Sequence, residues 1–413
     1  MVKKGYKQTE VGVIPEKWKD KKLGDVGKVC MCKRIFANQT SNTGEVPFFK
    51  IGTFGKEADA YISKGLYEDY KQRFSYPQKG DVLISAAGTL GRTIVFEGKD
   101  AYFQDSNIVW LDTDKELLCN EYLYHYYKVI KWGAAEGSTI ARLYNGIICN
   151  THIALPDVEE QKQIATVLSE LDELMSLTEK QIAKKKAIKQ GAMQELLTGK
   201  RRLPGFSGEW ETKKLEDYCS LITKQTGFDY SAYIKPALIT RKMPNTFPMI
   251  QTINFRGRKF TFETDYYIPQ SVAMQFPNIV LNKKCVLFSI VGASVGNVGL
   301  YPGSITAFCG GAIGITRFRN EQDAEWVFNY MSSPDGQSQI QYVTKGGAQA
   351  TVTIADIRNF KIPTPEKDER DAISGILENM DHEIEVLEQK LEKYREVKQG
   401  MMQQLLTGKI RLV

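Results

Sequence analysis

The chain has 413 residues, 42% of them hydrophobic and 25% charged, and a net charge of +6 at neutral pH. This length exceeds what one hydrophobic core organises, so at least two globular domains are expected in a chain of otherwise ordinary composition. The polar, lysine-rich stretch from Met1 to Lys22 has no apolar core of signal-peptide type, so nothing in it directs export and a cytoplasmic protein is the expectation. Cys30, Cys32, Cys119, Cys149, Cys219, Cys285 and Cys309 are odd in number and lack paired C-x-x-C spacing, so they read as idle thiols rather than a zinc site or a disulfide framework.

In chain order, a first head is expected over residues 1–155, with 22 Lys/Arg against 18 Asp/Glu. A long helix follows at 156–199. A second head covers 200–363, with 16 Lys/Arg against 12 Asp/Glu in 204–363, and a second long helix covers 364–413. Each head thus carries an equal surplus of positive charge, which suits two polyanion-binding lobes. Inside the second head, Cys285 to Thr316 is apolar enough to suggest a membrane span. Its seven glycines, Asn297 and Pro302 instead divide it into short β-branched runs, so buried strands and turns are predicted.

The two halves repeat one another. GVIPEKWKDKKLGDV (12–26) returns as PGFSGEWETKKLEDY (204–218), DVLISAAGTLG (81–91) as CVLFSIVGASVG (285–296), and EYLYHYY (121–127) as EWVFNYM (325–331). The clearest copy is KQGAMQELLTGKRRL (189–203), repeated as KQGMMQQLLTGKIRL (398–412). The helices are alike and the heads have diverged. Shared work is therefore assigned to the helices and distinct work to each head.

The second helix places Ile373, Leu377, Met380, Ile384, Leu387, Leu391, Tyr394, Lys398, Met401 and Leu405 at alternating spacings of four and three, a coiled-coil seam. The first repeats the register with Ile164, Leu168, Leu171, Met175, Thr178, Ile182, Lys185, Lys189, Ala192 and Leu196. Asp157 with Glu160 offers an N-cap and capping box, Thr364-Pro365 an N-cap and N1 pair, and Gly199 and Gly408 C-terminal stops.

Each helix is acidic early and basic late, so antiparallel pairing sets opposite charges side by side. Forty helical residues span ~60 Å. The connection from Gly199 to Trp210 reaches at most ~40 Å, too short for the return that a parallel pair requires. The expected fold class is α+β: two mixed α/β heads separated by an antiparallel coiled coil of two long helices, an internal repeat with pseudo-two-fold symmetry.

No catalytic constellation is visible. GTFGKEA (52–58) lacks the spacing and hydroxyl of a phosphate loop, and His125, His152 and His382 fall in no metal-binding pattern. Gly292, Gly296 and Gly299 read as a strand-end turn rather than a dinucleotide loop, and there is no N-P-P-[YF] element. Two basic heads on a two-fold spacer match the symmetry of duplex DNA, whose half-sites one turn apart lie ~34–36 Å from centre to centre. A methyltransferase or nuclease in its own right, and a structural or DNA-bridging coiled-coil protein, are the rival readings.

Essentially the whole chain resembles the specificity subunits of type I restriction-modification systems. The resemblance rests on P-x-x-W (15–18), G-D-V-L-I-S and A-G-T-L-G (80–91), F-Q-D-S-N (103–107), G-S-T-I-A-R-L (137–143), L-P-D-V-E-E-Q (155–161) and the L-L-T-G-K that closes both helices. It implies that each head is a target recognition domain for one half of an asymmetric, bipartite duplex DNA site. The helices would set the spacer and engage two modification (methyltransferase) subunits, which methylate adenine. Restriction subunits would translocate and cleave unmodified DNA. S-adenosylmethionine, ATP and Mg would belong to those partners, and this chain would carry no active site, cofactor or metal of its own. The second half departs from the pattern, since GGAQATVT (346–353) lacks the arginine of the first half and TPEKDER replaces PDVEEQ.

Reading bases in the major groove needs Arg or Lys for guanine and Asn or Gln for adenine. The candidates are Lys33, Arg34, Lys50, Lys56, Arg92, Gln104, Asn107 and Arg142 in the first head. In the second they are Lys224, Gln225, Arg241, Lys242, Asn254, Arg256, Arg258, Lys259 and Asn297. The aromatic runs Tyr122 to Tyr127 and Trp326 to Tyr330 are expected to pack a helix onto each head's sheet.

Overall fold

A computed structural model describes residues 4–130, 132, 142–345 and 350–412. Residues 137–141 of G-S-T-I-A-R-L and 346–349 of GGAQATVT lie outside them. The chain divides into two compact units. One takes the residues up to Glu179 together with those from Gln389 on, and the other runs from Lys180 to Glu388. Each therefore holds one head, half of the first long helix and half of the second.

In the first head an antiparallel sheet runs Gly27–Met31, Ile108–Thr113, Val82–Ser85, Thr93–Val95. Successive side chains of a strand point to opposite faces. Val82, Ile84, Val109 and Leu111 accordingly join a core with Trp18, Tyr122 and Tyr126, whereas Leu83, Ile108 and Trp110 join another with Val46, Phe48 and Tyr102. The first core carries the helix Asn120–Tyr127, as its aromatic run predicts. The second carries a small sheet in which Val46–Phe49 pairs antiparallel with Tyr61–Ile62 and parallel with Tyr102–Phe103. The head is a stack of helix, sheet and sheet.

The second head repeats this order with Cys219–Lys224, Ile313–Phe318, Cys285–Ser289 and Val298–Tyr301. Its small sheet again joins an antiparallel and a parallel neighbour to one strand, Thr246–Ile250. The apolar stretch from Cys285 to Thr316 forms strands, with Gly292 and Gly296 at positive φ in the turn between two of them. Among the described residues no helix is long and apolar enough to cross a membrane. All seven cysteines are free, and burial pushes the Cys32, Cys219 and Cys285 thiols up to about 12.

A two-stranded ribbon closes each head just before its long helix: Lys19–Lys22 with His152–Leu155, and Glu211–Lys214 with Lys361–Thr364. The long helices are Val158–Leu196 and Lys367–Leu405. Along their seams Ile164, Leu168, Thr178, Ile182, Leu196, Ile373, Leu377, Ile384, Leu391, Lys398 and Leu405 are buried, and Leu171, Met175, Met380, Leu387 and Met401 partly so.

The pairing is antiparallel within each unit. Arg395 reaches Glu179 at 3.0 Å and Lys398 reaches Asp172 in one. In the other, Lys185 meets Glu383 at 2.6 Å, Lys186 meets Glu388 at 2.8 Å, and Lys189 meets Asp381. Acidic early turns thus face basic late turns, as the charge gradient predicts.

Gly199 and Gly408 adopt φ of +69° and +67°, as expected of C-terminal stops. Two cap expectations need correction. Asp157 does accept the Glu160 N–H at 2.9 Å, but the Glu160 carboxylate does not return to the cap. It accepts instead from Trp18 Nε1 at 3.0 Å and Arg411 Nη2 at 2.7 Å. Thr364 ends a strand and bonds the Ile362 carbonyl at 3.0 Å, while the Glu366 carbonyl accepts the first helical bond, from Arg370. A cap side chain is free to serve its helix only when no buried partner competes for it.

The second unit copies the first clamp: Glu369 accepts from Trp210 Nε1 at 3.0 Å and from Arg202 Nε and Nη2, each at 2.7 Å. Glu160 and Glu369 are 1% and 0% exposed. Removing one partner of a buried ion pair leaves the other charge uncompensated, at a cost of about 3–5 kcal/mol. Arg411→Ala and Arg202→Ala, which strand the buried Glu160 and Glu369 carboxylates, are each expected to lower the chemical-denaturation midpoint strongly, and Glu160→Ala, which leaves only the partly exposed Arg411 unpaired, to do so less; equal effects at all three would contradict the clamp.

His125 is fully buried, with Nε2 2.9 Å from Ser169 Oγ. Burial first, then the Lys128 charge, lowers its pKa to about 4. The folded state therefore resists a proton that the unfolded chain accepts near pH 6.5. Stability is undiminished above that pH and falls between there and about pH 4, by on the order of 3 kcal/mol. Asn329 holds the equivalent place in the second head, so His125→Asn should flatten the pH dependence of denaturant midpoints over this window.

Candidate nucleic-acid interface

One edge of the first head opens into a cleft of about 480 Å³. Its walls are the segment Arg34 to Ala37, the strand end at Phe48 to Lys50, and the turn Gln104 to Asn107, with Arg142 behind. Five of the eight residues named for this head from sequence, Arg34, Lys50, Gln104, Asn107 and Arg142, therefore share one site. Parallel pairing of Val46–Phe49 with Tyr102–Phe103 brings two of these segments side by side, and the Gln104 N–H extends the ladder to the Phe49 carbonyl at 2.9 Å.

The turn is backbone-strained. Ser106 sits at φ +53°, a region that a residue with a Cβ enters at a cost. Arg142 Nη2 holds it, donating to the Ser106 hydroxyl at 2.8 Å and carbonyl at 3.2 Å. Arg34 Nε donates to Asp105 at 2.8 Å, Lys50 pairs with Asp59 at 2.8 Å, and the Gln104 side-chain oxygen accepts the Ile51 N–H at 2.9 Å. Phe36 stands 59% exposed at the rim.

The other three first-head candidates lie outside the lining. Lys33 is exposed over the Phe74 ring, Lys56 is exposed, and Arg92 donates to the Phe54 carbonyl at 2.9 Å. Asp105 and Ser106 escaped sequence reasoning. Asp105 carries the signal that could have revealed it, an acid between two amide side chains in a turn, whereas the φ of Ser106 leaves no trace in residue type.

The second head repeats the backbone bonds that flank this turn. Gly310 N–H donates to the Ile250 carbonyl at 2.8 Å as Gln104 does to Phe49. Ile290 N–H donates to Ala312 as Ala86 does to Asn107, and Val352 N–H to Ile290 as Leu143 does to Ala86. Thr351 thus stands for Arg142. The strand registers, Val109 opposite Met31 and Gly314 opposite Lys224, put Gly227 in place of Arg34. Where the cleft of the first head carries Arg34, Gln104 and Arg142, the second head carries Gly227, Gly310 and Thr351, with Gln251 in place of Lys50.

The second-head candidates scatter accordingly. Gln225 and Asn254 are buried at 3% and 4% exposure; Gln225 Nε2 meets the Cys309 carbonyl at 3.5 Å, and Asn254 caps its own turn through the Gln251 N–H at 2.8 Å. Arg258 pairs with Glu325 at 2.8 Å and Asp381 at 2.9 Å, and Lys259 pairs with Glu388, so both brace the head on the long helix within this unit. Asn297 lies in the turn before Val298–Tyr301, its carbonyl accepting from Ser289. Lys224, Arg241, Lys242 and Arg256 are exposed and form no ion pair with a described residue. Among the described residues no group of His, Cys, Asp and Glu is arranged to hold a metal.

The family described as type I restriction modification DNA specificity domain matches residues 15–187 and 207–394, one match for each half of the repeat. The chain belongs to that family. A type I restriction enzyme specificity subunit of Haemophilus influenzae is 58% identical over 158 residues, which cover 38% of this chain and 41% of that relative. The MjaX specificity subunit of Methanocaldococcus jannaschii is 27% identical over 98% of this chain and 97% of its own length. The crystal structure of an S subunit from M. genitalium has a TM-score of 0.61 at 13% identity, covering 94% of this chain and 96% of that one. A second chain, from work on assembly and conformational transition of the type I restriction-modification system, has a TM-score of 0.56 at 16% identity over 96% and 99%. At such identities the two structures show a shared fold, and membership of the specificity family rests on the sequence match.

Proposed function

We propose that the chain is the sequence-reading, non-catalytic subunit of a type I restriction-modification complex, each head recognising one half of an asymmetric, bipartite site in duplex DNA. The observation that carries this reading is the pair of heads: one strand order and a shared set of backbone bonds, with Arg34, Gln104 and Arg142 in the cleft of one and Gly227, Gly310 and Thr351 at those positions in the other. A protein whose work lay in its helices alone would have no use for such divergence. In this reading the antiparallel helices set the spacer and dock two modification subunits that methylate adenine, and restriction subunits cleave unmodified DNA. S-adenosylmethionine, ATP and Mg act on those partners, in the cytoplasm, and none is assigned to this chain.

Co-expression with the modification subunits, followed by mapping of methylated adenines, is expected to return two unlike half-sites around a fixed gap. A continuous palindrome would contradict the reading. Four residues inserted after Met175 should change the accepted gap and leave both half-sites as they were; altered half-sites would show that the helices do not act as a ruler.

A further inference from the structure

We infer that the first head reads a guanine through Arg34 and Gln104, and that the equivalent place in the second head does not, so that this guanine requirement falls in one half-site only. The inference rests on the proposed function and deepens it.

Arg34 is 60% exposed at its side chain, yet its Nε is held by the 18%-exposed Asp105 carboxylate at 2.8 Å. A bond through Nε leaves both terminal guanidinium nitrogens without a hydrogen bond to any described residue. The carboxylate also restrains a long side chain that would otherwise lose rotamer freedom on binding. Gln104 is committed in the complementary way. Its oxygen must be the atom facing the Ile51 N–H, because a donor cannot serve another donor, and the amide Nε2 is what remains for a ligand. Asp105 is placed by the strained Ser106 turn that Arg142 secures, which makes Asp105, Ser106 and Arg142 positioning residues.

Arg34 and Gln104 therefore present donors to the cleft, while the Gln104 oxygen is engaged. In the major groove guanine alone shows two adjacent acceptors, O6 and N7. Adenine pairs an acceptor with a donor and would need the Gln104 oxygen free; cytosine shows a donor, and thymine a single acceptor beside its methyl group. In the second head Gly227 and Gly310 replace Arg34 and Gln104, and neither carries a side-chain donor.

The test uses the chain in complex with its modification subunits and a duplex bearing the mapped site. Guanines in each half are replaced in turn by 7-deazaguanine, which removes the N7 acceptor and keeps base pairing. The wild-type complex should lose about ten- to hundredfold in affinity for one half-site only. Arg34→Ala and Arg34→Lys should already have lost that much on normal DNA and lose little more on the 7-deaza duplex. Gln104→Glu, which still accepts the Ile51 N–H but exchanges the free donor for an acceptor, should relax the mapped motif at a G·C pair in that same half. Arg34 variants that bind like the wild type, or a 7-deaza effect undiminished in Arg34→Ala, would overturn the guanine assignment. Failure of the wild-type complex to prefer any sequence would overturn the underlying reading as well.

Discussion

A carboxylate withdrawn from water must be met by donors, and the structure depends on where Glu160 and Glu369 find theirs. For Glu160 they come from Trp18, near the start of the head, and Arg411, just past the end of the second long helix. For Glu369 they come from Trp210 and Arg202, in the same relation to the first helix. Each glutamate lies in the first turn of its own helix. Satisfying both therefore requires the beginning of one helix to lie beside the end of the other, which is antiparallel pairing stated as a hydrogen-bonding demand.

The seam and the surface charges follow from that closure. Ile164 and Leu168 share a core with Leu405 and Leu406, while Leu196 and Leu197 share one with Ile373 and Leu377, so each head's core incorporates turns of both helices. The exposed pairs Arg395–Glu179 and Lys185–Glu383 add only ~0.2–1 kcal/mol apiece. They favour the direction that the buried clamps impose. The first compact unit joins the stretch up to Glu179 with the stretch from Gln389 on, whereas the second is the single stretch from Lys180 to Glu388.

Within this frame the heads can diverge where the frame does not need them. The same backbone bonds flank the turn after Phe103 and the turn after Cys309, from Gln104 and Gly310 to the neighbouring strand and from Ala86 and Ile290 to the turn's end, while the turns themselves differ in length and side chains. One head fills that edge with Arg34, Gln104, Asp105 and Arg142, and the other places Gly227, Gly310 and Thr351 at the positions of Arg34, Gln104 and Arg142. The strain at Ser106 belongs to the same economy of design: a conformation that costs about 1–3 kcal/mol is retained because a well-packed sheet beneath it can hold it.

The repeat, the helices with their seams and direction, the strands of the Cys285 to Thr316 stretch, and the family were all legible in the residues, because periodicity, charge gradient and motif spacing are one-dimensional signals. The clamp was legible in principle, since Glu160 and Arg202 recur 209 residues later as Glu369 and Arg411, but its geometry was not. Folding decided that Glu160 would leave its cap for Trp18 and Arg411, and that Arg258 and Lys259 would turn inward to Asp381 and Glu388. It also gathered Arg34, Gln104 and Arg142 into one cleft. A basic or amide side chain in a loop looks the same in sequence whether it meets a carboxylate, a backbone carbonyl or open solvent. Which of these it meets depends on chain segments dozens to hundreds of residues away, and only the packed structure brings them within bonding distance.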